Sequence, residues 1–274
     1  MLQAHYVVKT HRNTPVVLVI GGNDPVGGAG LCADIQALAG LGCHAAPVVT
    51  AVTRQNSCGV SGYMAIDADL IGEQIACVLD DISVAAIKTG MLASSATVER
   101  VSALIAEMPG IPLIVDPVLA SNMGNKLSER SLVDTMLERL VPLASILTPN
   151  IPELQTLAAS NGQDNVNPGQ LSSDLDADIL LTGTHDKKTE KVINSLHRIG
   201  HDVLEWQWNR LPGEYHGSGC TLASALAAGL AHGFDKVSAA EQAQEYTWQA
   251  LKHGLDAGRC QRLPNRIARQ AINR

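Results

Sequence analysis

The chain has 274 residues, 46% of them apolar, with a formal net charge of −7 at neutral pH. That length and apolar content suit one large α/β domain with a sizeable core. The acidic balance argues against nucleic acid or an anionic membrane as the main partner, and no apolar run reaches the roughly 18 residues that span a bilayer.

Residues 1–15 are polar with scattered charge and lack the apolar stretch of a secretory signal. They read as an N-terminal extension to a single domain over 16–274 in a cytoplasmic protein. Residues 16–20, Val-Val-Leu-Val-Ile, predict a buried strand. A glycine-rich turn over 21–30 follows, then a helix with Leu31, Ile35 and Leu38 on one face. Gly22 and Gly27 have P-loop spacing, but Gly28 and Ala29 stand where the lysine and hydroxyl residue belong. A dinucleotide fingerprint needs an acid about 20 positions further on. No acid lies between Asp34 and Asp67, so that reading fails too.

Next come a strand over 44–53, a loop, and a helix from Asp67 with Ile71, Ile75, Val78 and Ile82 on one face. The pattern continues with strand 85–91, helix 96–107, strand 111–115, helix 129–140, strand 145–147, helix 152–159 and strand 178–181. Residues 161–176 read as a loop. Segments 191–197 and 203–209 read as a hairpin in which Leu204, Trp206 and Trp208 alternate with polar neighbours. Helices over 218–232 and 238–255 close the chain. This alternation predicts a mostly parallel sheet with helices on both faces and ligands at the carboxyl ends of its strands.

Three segments carry chemistry. His216-Gly217-Ser218-Gly219-Cys220-Thr221 leads into an Ala/Leu-rich helix. The free N–H groups of a helix start suit phosphate, and a thiol there is expected to have a lowered pKa; a packed cysteine is the bland alternative. Asn150 and Glu153 stand at capping-box spacing, while the same carboxylate also suits a hard cation. Asp116 ends an apolar strand, as a turn residue or as a second metal–phosphate candidate. The six cysteines (Cys32, Cys43, Cys58, Cys77, Cys220, Cys260) lack zinc or redox spacing and read as reduced and mostly buried.

Six blocks carry a family resemblance: GGNDPVGGAGLCAD (21–34), VVTAVTRQNSCGV (48–60), AAIKTGML (85–92), LIVDPVLASNMG (113–124), LTPNIPE (147–153) and HGSGCTLASALAAGL (216–230). In this order they resemble hydroxymethylpyrimidine/phosphomethylpyrimidine kinases, thiamine-synthesis enzymes of the ribokinase-like superfamily. The likeness runs from about 16 to 230 and is weakest between 158 and 214. It implies a three-layer α/β/α fold, ATP and Mg2+, two phosphorylations of an aminopyrimidine alcohol, and a homodimer.

The resemblance also implies residue roles. The N–H groups of Gly217, Ser218, Gly219 and Cys220 would form an anion hole, and Cys220 would take the alcohol's proton. Glu153 would hold metal-bound water, with Asp116 as second candidate, and Asn150 and Thr182 would lie by the nucleotide. Gly22, Asp34, Gln55 and Met91 would hold the pyrimidine, and Lys88 the second substrate's phosphate. The residue-level alternatives are an exposed helix position for Asp34, core filling for Met91 and a solvated charge for Lys88. The chain departs from the family where Thr182-Gly183-Thr184-His185 replaces a lysine-glycine-glycine-histidine block, and where Asn23 and Val26 replace small hydroxyl residues. A pyridoxal kinase and a silent sensor of thiamine precursors are the competing readings.

Overall fold

The structure is a computed structural model that describes residues 14–119, 130–163, 166–183 and 190–267. Most of the 1–15 extension, Thr184 and His185 lie outside these residues, as does 120–124 of the fourth block. A nine-stranded sheet runs in the order β3-β2-β1-β4-β5-β6-β7-β8-β9. Strands β1 (Val16–Asn23), β2 (His44–Asn56), β4 (Ala86–Thr89), β5 (Leu113–Val115), β6 (Ile146–Leu147) and β7 (Asp178–Leu181) are parallel. The edges β3 (Gly59–Ala65), β8 (Lys191–His197) and β9 (Leu204–Asn209) are antiparallel.

Period-two alternation along buried strands builds two cores at once. Val17 and Val19 of β1 enter the cluster with α1 (Gly30–Gly40), α7 (Ser218–Ala231) and α8 (Lys236–Lys252). Leu18 and Ile20 enter the opposite cluster. That second cluster holds α2 (Ala68–Asp81), α3 (Ser95–Ala106), α4 (Arg130–Thr135), α5 (Ile151–Ser160) and α6 (Pro168–Asp174). Helix, sheet and helix thus form three layers. Gly229 lets α7 approach α8 closely, since a Cβ there would fall 2.9 Å from that of Ala239.

Four expectations need correction. The segment after 44–53 is the end of β2 and the antiparallel β3, not a loop. The stretch 161–176 contains the seven-residue α6, capped by Asn167. Ile35 is exposed on α1, and its place on the buried face is taken by Asp34. Finally, Cys58 and Cys260 form a disulfide across 202 positions, so these two are not reduced. Helix 129–140 begins within the described residues at Arg130 and continues from α4 as a π-turn over Met136–Leu140. No helix among the described residues is long and apolar enough to cross a membrane.

Candidate active site

The carboxyl ends of the parallel strands converge on one cleft. From β1 come Gly22 and Asn23, from β2 Gln55, and from β4 and the residues after it Lys88 and Met91. Asp116 follows β5, Thr148 and Asn150 follow β6, and Thr182 follows β7. Asp34 of α1, Glu153 of α5 and Gly217–Cys220 at the start of α7 complete the lining. Every candidate residue named from the sequence therefore borders the same space.

Two glycine loops face each other. Gly217 caps α7 with φ +77°, and any side chain there would collide with the Gly28 carbonyl. Only glycine combines that left-handed turn with so close an approach. Asp24, 1% exposed, shapes the first loop by accepting N–H groups of Val26 at 2.8 Å, Gly28 at 3.0 Å and Ala29 at 2.8 Å. His216 joins the loops, its Nε2 lying 2.9 Å from Asp24 Oδ2. Burial alone would raise the Asp24 pKa; the hydrogen bonds from His216, Val26 and Gln55 outweigh it and bring it down to about 2. Sequence reasoning gave neither Asp24 nor His216 a role, although both stand inside the quoted blocks.

Lys88 and Asp34 are fully buried, so neither is the solvated or exposed residue of the bland reading. Lys88 Nζ donates to Asp34 Oδ1 at 3.0 Å and Oδ2 at 3.1 Å, and Ser224 Oγ donates to Oδ1 at 2.7 Å. Burial works against the Lys88 charge, but the adjacent Asp34 carboxylate, with Asp116 beyond it, overcomes it, so its pKa is raised and the ammonium persists. Met91, with Ala51, Val60, Ala93 and Val118, forms an apolar wall, its Sδ packed against Gly22.

The Cys220 thiol reverses the sequence expectation. Its pKa is pushed up to about 12, because burial outweighs Lys88 while Asp116 and Asp34 add to the rise. The helix start does not offset loss of water around sulfur, so Cys220 rests as a neutral thiol near Asp116.

Asn150 and Glu153 form the full capping box: Asn150 Oδ1 accepts the Glu153 N–H at 2.9 Å, and Glu153 Oε2 accepts the Asn150 N–H at 3.0 Å. Glu153 also faces the cleft, and burial with Asp116 nearby pushes its carboxyl up to about 8. Asp116 Oδ2 and Thr148 Oγ1 are buried without hydrogen-bond partners among the described residues; Lys88 Nζ lies 3.8 Å from the former. Two repelling carboxylates and an unpaired oxygen fit a hard cation that keeps most ligands as water and phosphate. No cluster of three His, Cys, Asp or Glu exists among the described residues to cage a metal by protein alone. Thr182 bridges to Asn150 in parallel register, its hydroxyl 3.5 Å from the Pro149 carbonyl.

The model of the family described as "Phosphomethylpyrimidine kinase" matches residues 24–265. The chain belongs to the phosphomethylpyrimidine kinase family. It is 39% identical over 251 residues to the hydroxymethylpyrimidine/phosphomethylpyrimidine kinase of Mycobacterium tuberculosis, covering 89% of this chain and 91% of that one. The Streptomyces coelicolor enzyme of the same name is 37% identical over 254 residues, with 89% and 91% covered. Among solved structures, an ADP complex of Bacillus subtilis pyridoxal kinase superposes with a TM-score of 0.81 at 26% identity, covering 93% and 98%. The phosphomethylpyrimidine kinase of Clostridium difficile gives 0.72 at 27% identity, covering 86% and 98%. The three layers are the ribokinase-like fold of these kinases, and membership of this phosphomethylpyrimidine kinase family makes the chain a phosphotransferase.

Proposed function

We propose that the chain transfers the γ-phosphoryl group of ATP to 4-amino-5-hydroxymethyl-2-methylpyrimidine and then to its monophosphate, in thiamine biosynthesis. The observation that carries this reading is the meeting, in one cleft, of Cys220 and the Gly217–Cys220 loop with Gln55 and the Met91 wall. The relatives named for both phosphorylations support it, as does the rice relative named as a probable thiamine biosynthetic bifunctional enzyme.

In this reading Gln55 offers a donor and an acceptor to the aminopyrimidine edge, and Met91 and Gly22 cover the ring. Asp34 retains lone pairs beyond those taken by Lys88 and Ser224 for the exocyclic amine. Lys88 acts as the cation that pairs with Asp34 and holds it in place; within a short distance of a substrate phosphate it adds attraction as well. The N–H groups of Gly217, Ser218, Gly219 and Cys220 hold the moving phosphoryl group, which asks mainly for positioning and charge stabilisation. The alcohol oxygen bonds to γ-phosphorus as the β–γ bridging bond breaks, and ADP leaves with the bridging electrons. Because that transition state is loose, the alcohol's proton needs a close acceptor more than a strong base. Cys220 is that acceptor, with Asp116 next to receive the sulfur's own hydrogen.

Glu153 and Asp116 would hold Mg2+, which when bound neutralises charge on the phosphates. Asn150 and Thr182 would border the nucleotide. We place the protein in the cytoplasm, where ATP is supplied, as one kinase domain over 16–274. The homodimer finds support in the exposed Val52, Tyr63 and Met64 at the β2–β3 edge.

Pyridoxal phosphorylation is the second reading, favoured by the high superposition on pyridoxal kinase. Parallel ADP-release assays separate the two. Turnover of the aminopyrimidine alcohol at a kcat/KM at least tenfold above pyridoxal is expected; the reverse order transfers the assignment to pyridoxal.

A further inference from the structure

Arg266 lies beyond the last of the six blocks and is only 3% exposed, yet it meets no carboxylate within ion-pair distance among the described residues. Its five N–H donors all find oxygen acceptors. Nε donates to Thr221 Oγ1 at 2.8 Å, and Nη1 to Gln36 Oε1 at 3.2 Å and the Gly27 carbonyl at 3.4 Å. Nη2 donates to the carbonyls of Gly28 and, at 3.4 Å, Gly217. Thr221 Oγ1 in turn donates to the Gly217 carbonyl at 2.8 Å.

Three of these acceptors, the carbonyls of Gly27, Gly28 and Gly217, belong to the two glycine loops, and the guanidinium reaches them from behind the cleft it does not line. A carbonyl drawn inward turns its peptide plane, so the N–H of the following residue points outward. The Gly217 carbonyl fixes in this way the N–H of Ser218, a residue of the cleft lining, while the Gly28 carbonyl fixes the N–H of Ala29, which Asp24 Oδ2 accepts at 2.8 Å. A planar five-donor group performs this brace; a lysine ammonium, with three donors at one point, does not span the same acceptors. The buried charge also has no paired anion among the described residues, so its field adds to the helix start that faces the phosphoryl group.

We propose that Arg266 is a positioning residue for phosphoryl transfer, locking the 216–220 loop against the Asp24-braced 24–30 loop so that the amides from Ser218 onward face the transferred group. The proposal rests on the phosphotransferase reading but not on which alcohol is the substrate. Its test uses the full chain with Arg266→Lys and Arg266→Met, read by kcat, KM for each substrate, thermal midpoint, and amide exchange over 24–30 and 214–221.

Arg266→Lys is expected to fold, to lose about 10²-fold in kcat, the scale of one lost oxyanion donor, and to keep KM for the alcohol within about twofold. Exchange over the two loops is expected to quicken while that over α2 and α3 stays unchanged. Arg266→Met is expected to lose more, with added millimolar guanidinium restoring part of kcat. A folded variant with kcat within about threefold of the native chain overturns the proposal, and so does failure of both variants to fold, which makes Arg266 a plain core brace. If the native chain phosphorylates only pyridoxal, the substrate assignment falls and the same comparison is made on pyridoxal.

Discussion

Lys88 Nζ stands 3.0 Å from Asp34 Oδ1 and 3.8 Å from Asp116 Oδ2, with all three residues buried on the sheet's carboxyl edge. This cation lets two carboxylates share a site from which water is largely excluded. Breaking a buried pair by removing one partner strands the other charge, at a cost of about 3–5 kcal/mol. Lys88→Met is expected to lose stability on that scale in urea unfolding. The double variant Lys88→Met/Asp34→Asn is expected to recover most of it, and equal losses in single and double variants would contradict the pairing.

In the proposed reaction Cys220 acts at the alcohol oxygen through its side chain, whereas the 217–220 loop would hold phosphate through backbone N–H groups that alanine keeps. Cys220→Ala is expected to reduce kcat by about 10²–10⁴-fold, the span of a positioned proton-transfer group. Calorimetric affinity for AMP-PCP is expected to stay within about twofold of the native value. Full turnover in this variant removes the thiol from the mechanism.

Glu153 serves the α5 cap and faces the cleft, and two substitutions separate these tasks. Glutamine satisfies a capping box as glutamate does. Glu153→Gln is therefore expected to keep the thermal midpoint within a few degrees while raising the Mg2+ concentration for half-maximal rate by about tenfold. Glu153→Ala is expected to lose both, the cap at about 1 kcal/mol. An unchanged Mg2+ dependence in Glu153→Gln reduces the residue to a cap.

Asp24 links acid stability to the two loops. Its folded pKa of about 2 lies below the ordinary 3.8, so its contribution is present above pH 3.8 and is lost as pH falls toward 2. The gap corresponds to about 2 kcal/mol. Urea unfolding is expected to show Asp24→Asn less stable than the native chain at pH 6, with the difference shrinking between pH 3.8 and 2. A difference that is constant with pH would show that shape, not charge, holds the loop.

Local pattern made much of this legible. Val16–Asn23, the Asp67-capped α2 and the Trp206/Trp208 hairpin follow from periodicity and caps, signals confined to neighbouring residues. The six blocks brought their residues to one cleft because strand ends carry them there. What escaped depends on partners far apart in sequence. Asp34 faces inward because Lys88, 54 positions away, neutralises it, and periodicity alone gave its place to Ile35. Cys58 and Cys260 meet only once the 254–263 segment lies on the β2–β3 turn, where the Gln261 N–H donates to the Ser57 carbonyl. Arg266 carries no local signal, and its acceptors are backbone oxygens that no side-chain pattern encodes.

Phosphate transfer to a hydroxymethyl group on an aminopyrimidine is the step that defines the proposed function. Mass spectrometry of the products formed from 4-amino-5-hydroxymethyl-2-methylpyrimidine and Mg-ATP reads this directly. A monophosphate followed by a diphosphate is expected, with Cys220→Ala giving neither at a comparable rate. An unmodified alcohol after prolonged incubation, under conditions where pyridoxal is phosphorylated or where no ADP appears, would contradict the proposed function.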